Sequence, residues 1–73
     1  MYRSMHLRHL EEAEQHISRG EQQVSAQERR IEDLERHGHN TTLARLLLET
    51  FLRTQTQFVE HRDQARRALS RLD

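Results

Sequence analysis

From His9 to Arg36 the chain reads as four gapless heptads, HLEEAEQ, HISRGEQ, QVSAQER and RIEDLER. Leu10, Ile17, Val24 and Ile31 recur every seven residues, with Glu14, Glu21, Glu28 and Glu35 recurring beside them. A period this strict predicts one long helix with a single apolar seam flanked by an acidic rail. Such a helix is built to touch another helix. The pattern carries no reaction.

The helix is predicted over about 4–37, with Ser4 as its N-cap, and Gly38 supplies the left-handed residue that commonly ends a helix. The run His39-Asn40-Thr41-Thr42 offers cap residues for a second helix, predicted over about 42–72. Its seam is Ala44, Leu48, Phe51, Gln55, Phe58, Arg62, Ala65, Leu69 and Leu72, in alternating steps of four and three. A connection this short makes the helices antiparallel neighbours. Folding the chain about Gly38 sets Gly20 opposite Phe58, a small residue against a large one, and brings Gln27 near Gln55 as a polar layer. The same fold places Glu14 beside Arg66 and Glu35 beside Arg45. The predicted class is all-α, an antiparallel two-helix hairpin forming one domain over residues 1–73.

A lone hairpin leaves too much uncovered. Leu43, Leu46 and Leu47 near the start of the second helix, and Leu52 and Val59 along a flank, exceed what one seam can bury. In LARLLLETFL the helix is apolar nearly all round. The expected remedy is a homodimer that forms a four-helix bundle, with Leu43, Leu46, Leu47, Phe51, Leu52 and Val59 at the interface. A different protein docking on the same surface is the alternative.

Composition narrows the picture further. Hydrophobic and charged residues each make up 33% of the 73 residues, and proline is absent, as suits long solvated helices. The formal net charge is zero, so no long-range field recruits nucleic acid or an anionic membrane. Without cysteine there is no disulfide framework, no thiol catalysis and no thiolate zinc site. No segment reads as a signal peptide or a membrane span, so the expected compartment is the cytoplasm. All twelve basic residues are arginine. Codon bias is the plain reading, and recruitment for bidentate pairing the sharper one.

The stretch from His16 to Asp63 resembles a family of short, uncharacterised helical-hairpin proteins from proteobacteria, common in rhizobial-type genomes. The residues that carry the resemblance are His16-Ile17, Gly20-Glu21, Gln27, Leu34, Gly38-His39-Asn40-Thr41, Ala44, Leu47-Leu48, Phe51, Thr54 and His61-Arg62-Asp63. The family turn has Asp where this chain has Asn40, which weakens the cap's charge but not its hydrogen bonding. The resemblance implies a helical hairpin and brings no catalytic or binding residues.

Candidate chemistry rests on six histidines. In the predicted hairpin His16 and His61 share a flank, with Asp63 and Glu12 in reach. A His-His-carboxylate set of that kind is the one candidate zinc or nickel site. Neither HExxH nor the Glu-x-x-His pairs of di-iron bundles occurs, so solvated flank histidines are the favoured reading, with no metal or cofactor. His61-Arg62-Asp63 spells the kinase catalytic triplet, yet Ala68 stands where the motif needs Asn. No enzyme is expected. Arg62, Arg66, Arg67 and Arg71, with Arg3 and Arg8, gather at one end as a candidate nucleic-acid contact, the alternative function to a structural or interaction module. Interleaved Glu and Asp, and the lack of a stacking aromatic there, argue against it.

Overall fold

In a computed structural model describing residues 2–72, the chain forms two helices, α1 (Tyr2–Arg36) and α2 (Thr42–Leu72), packed along their length. The molecule measures 55 × 14 × 13 Å, with a radius of gyration of 16.7 Å. A compact chain of this length would have about 11 Å. The difference is the shape of a rod one helix pair thick.

Helix α1 begins earlier than Ser4. It is already under way at Tyr2, and Ser4 is exposed inside the helix instead of capping it. The residues before Ser4 contain no breaker, and the Tyr2 ring meets His6 one turn on, edge to face at 5.1 Å. At the other end the turn closes as expected. Gly38 has φ of +70°. Its N–H donates to the Glu35 carbonyl at 3.1 Å, and His39 N–H donates to Leu34 O at 2.9 Å. This pair of bonds is the Schellman motif, which satisfies carbonyls the helix would otherwise strand. Asn40 Oδ1 then accepts from Thr42 N–H at 2.8 Å, and Arg45 N–H reaches Thr41 O at 2.9 Å to open α2.

The core is a single file. Ala13, Ile17, Gly20, Gln27 and Ile31 are buried on α1, joined by Ala65 from α2, and among the described residues no large side chain is wholly enclosed. The remaining seam residues are half-buried, apart from the exposed Leu72. Two flanking ion pairs form where the heptads put them: Arg45 with Glu35 at the turn, and Arg66 with Glu14 at 3.8 Å toward the open end. Both are exposed and contribute little.

Inside the seam, the partners differ from the expected ones by about one helical turn. A Cβ on Gly20 would overlap Gln55 Oε1, so the residue facing Gly20 is Gln55 and not Phe58. Phe58 instead stacks on His16, with centroids 4.7 Å apart and rings 14° from parallel. Nor do the two glutamines share a layer. Gln55 Nε2 donates to Ile17 O at 2.7 Å, and Gln27 Nε2 donates to Ala44 O at 2.9 Å. Each amide finds a backbone carbonyl on the opposite helix, a stronger demand than pairing with its counterpart. Gln55 Oε1 is buried with no conventional donor and sits where the Gly20 Cβ would be, so it rests against the Gly20 Cα–H.

This geometry fixes the outcome of substituting Gly20. Replacing a mid-helix Gly by Ala normally stabilises by about 0.5–1 kcal/mol. Here Gly20→Ala must displace Gln55 and forfeit its bond to Ile17 O, worth about 1 kcal/mol, so the gain should vanish. In a Gln55→Ala background the same change should recover it. Thermal melts of the two single variants and the double variant measure the coupling, and equal effects of Gly20→Ala in both backgrounds would refute the contact.

Candidate functional site

Two features stand outside the seam: an apolar surface near the start of α2 and a groove at the open end. On α2, Leu43 is 81% exposed, Leu46 54%, Leu52 49% and Leu47 40%. Each lies off the line that faces α1, because α2 turns about 100° per residue and its seam claims one stripe. Phe51 and Val59 are half-buried, Phe51 through its place in the intrachain seam. The six apolar positions expected at the interface therefore divide into four open leucines and two partly covered side chains.

The groove occupies about 580 Å³ between the helices. Ala13, Ala65 and Ala68 make its floor, since small side chains in neighbouring turns leave volume unfilled, and Phe58 closes one end. His6, His9, Glu12, His16 and His61 form the rim with Gln64. Three of the rim histidines have ring neighbours: His6 meets Tyr2, His9 lies 6.3 Å from His6, and His16 covers Phe58.

The candidate metal set separates here. His16, His61 and Glu12 reach the one groove, but Asp63 does not line it. Residues two apart on a helix point in nearly opposite directions, and Asp63 instead accepts from Arg62 Nε at 3.3 Å. Among the described residues no three His, Cys, Asp or Glu side chains converge closely enough to hold a metal ion. At the turn His37 and His39 lie side by side at 6.3 Å, and His37 Nδ1 is 2.7 Å from Asp33 O, a hydrogen bond when that nitrogen carries the proton.

At the basic end, the Arg62 and Arg66 guanidinium groups are engaged by Asp63 and Glu14. Arg62 lies in the seam and is half-buried. No helix among the described residues is long and apolar enough to cross a membrane. Comparison with family models, with curated proteins and with solved structures returned no match.

Sequence reasoning found the open leucines and the shared flank of His16 and His61, and missed the alanine floor. The signal was present in Ala65 and Ala68, one turn apart, with Ala13 on the other helix of the hairpin.

The geometry predicts that zinc at neutral pH leaves the melting temperature unchanged in the parent protein, in His16→Ala and in His61→Ala. A zinc-dependent rise abolished by either substitution would make the groove a metal site.

Proposed function

We propose that this chain is a small non-enzymatic interaction module that self-associates through α2. The observation that carries the reading is the exposure of Leu43, Leu46, Leu47 and Leu52 on a helix whose other side already packs on α1. At about 25 cal/mol per Å² of apolar surface, such a cluster gains considerably from a partner. The thin single-file core supports the same reading, because a hairpin with no large enclosed side chain has little stability of its own. A four-helix bundle supplies the missing cover.

A nucleic-acid role for the arginine-rich end ranks second. Carboxylates already engage Arg62 and Arg66, which lowers the charge available to phosphates.

Light scattering should give a dimer at micromolar concentration. Leu47→Glu should dissociate or unfold it, whereas Gln22→Glu, on the exposed side of α1, should leave mass and stability unchanged. A folded monomer in the parent protein would overturn the proposal. Salt-sensitive retardation of DNA or RNA would favour the second reading.

A further inference from the structure

Helix α2 carries a second heptad stripe, turned about a quarter-circle from the one that meets α1. It begins with Leu43, Leu47, Thr50 and Thr54, in steps of four and three. Gln57, His61, Gln64 and Ala68 continue it at the same spacing. No member is Asp, Glu or Arg, and all but the half-buried Ala68 are exposed. On a chain with one such residue in three, a stripe this long without them marks a contact face.

The stripe is asymmetric. Its leucines are at the turn end and its space is at the open end, where His61, Gln64 and Ala68 line the alanine-floored groove. The geometry points to a second copy of this chain as the occupant, with the two α2 helices antiparallel and each copy's leucines seated in the other's groove. This rests on the self-association proposed above and specifies its register. The layers become Leu43 with Ala68 of the second copy, Leu47 with Gln64, Thr50 with His61, and Thr54 with Gln57. Each contact occurs twice about a dyad between Thr54 and Gln57, as an isologous interface requires. Large side chains meet small ones, and each polar side chain of the middle layers meets another that can hydrogen-bond to it.

Charge selects this register among its neighbours. The residues bordering the stripe on its outer side are Leu46, Arg53, Glu60 and Arg67. In the register given, Arg53 of each copy faces Glu60 of the other, and Leu46 covers the stem of Arg67. Glu60 has no ion-pair partner among the described residues of its own chain, and Arg53 bonds Glu49 on its open side at 2.8 Å. Sliding the helices by one heptad in one direction brings Arg53 against its own symmetry mate. Sliding in the other direction brings Glu60 against Glu60 and Arg53 against Arg67. Like charges at these positions oppose pairing. A parallel arrangement would leave both grooves empty and stack all the leucines at one end.

The chain has no cysteine, so introduced thiols report position cleanly. Thr50→Cys and His61→Cys are prepared separately, both at exposed positions, mixed to exchange subunits, and oxidised gently. A disulfide needs Cα atoms within about 7 Å. The expected product is a mixed Thr50→Cys to His61→Cys dimer, with neither variant cross-linking alone. Cross-linking of either variant by itself would show a parallel or a shifted pair and overturn the register while leaving self-association standing. A dimer by light scattering that forms no disulfide in any combination would place the interface elsewhere, again overturning the register alone. A monomer would overturn both, leaving the face to a different protein.

Discussion

Two helices can hide only one stripe each, and everything else about this molecule depends on that limit. A third layer of structure would let α1 and α2 bury residues on two sides. Without it the core is a single file of Ala13, Ile17, Gly20, Ile31 and Ala65 with a glutamine in the row, and no bulky side chain is enclosed. The specificity that packing usually provides is transferred to polar contacts. Gln27 and Gln55 each cross the seam to a main-chain carbonyl, at Ala44 and Ile17. Apolar side chains of similar size can slide past one another by a turn at modest cost. An amide that must find one carbonyl cannot.

That division explains what was legible in the sequence. The heptads and the turn were readable because each rests on local rules: a period of seven, a glycine at the end of α1, an asparagine ahead of α2. The seam residues followed from spacing alone, and those predicted are the ones that turn inward, apart from Leu72, exposed at the end of α2. The relative shift of the helices was not readable. Matching Gly20 to Phe58 by size looks sound on volume, yet volume is a weak discriminator in a seam open to solvent on both sides. The bond from Gln55 to Ile17 O decides the alignment, and side-chain-to-backbone bonds leave no periodic trace. The start of α1 was missed for a related reason: serine is a good cap, but nothing obliges a helix to use one when the preceding residues tolerate it.

The candidate surfaces divide in the same way. The open leucines were visible as a surplus over one stripe. The groove was not, because it is a property of absences: three alanines whose neighbours cannot lean in to fill the gap. Of the candidates His16, His61 and Asp63, the first two line the groove, whereas the angular step over two helical residues turns Asp63 away from His61.

The position of the turn has a kinetic consequence. Contacts at the Gly38 elbow join residues only a few apart, while those at the far end join residues separated by nearly the whole chain. Closing the elbow costs least entropy, and each further pair then closes a loop whose inner part is already fixed. The molecule should therefore zip from Gly38 outward, and unzip from the opposite end when heated. The groove with its histidine rim belongs to the segment that closes last and opens first. Whatever occupies that groove acts as the clasp of the zipper, and its loss is felt first at the open end and last at the elbow.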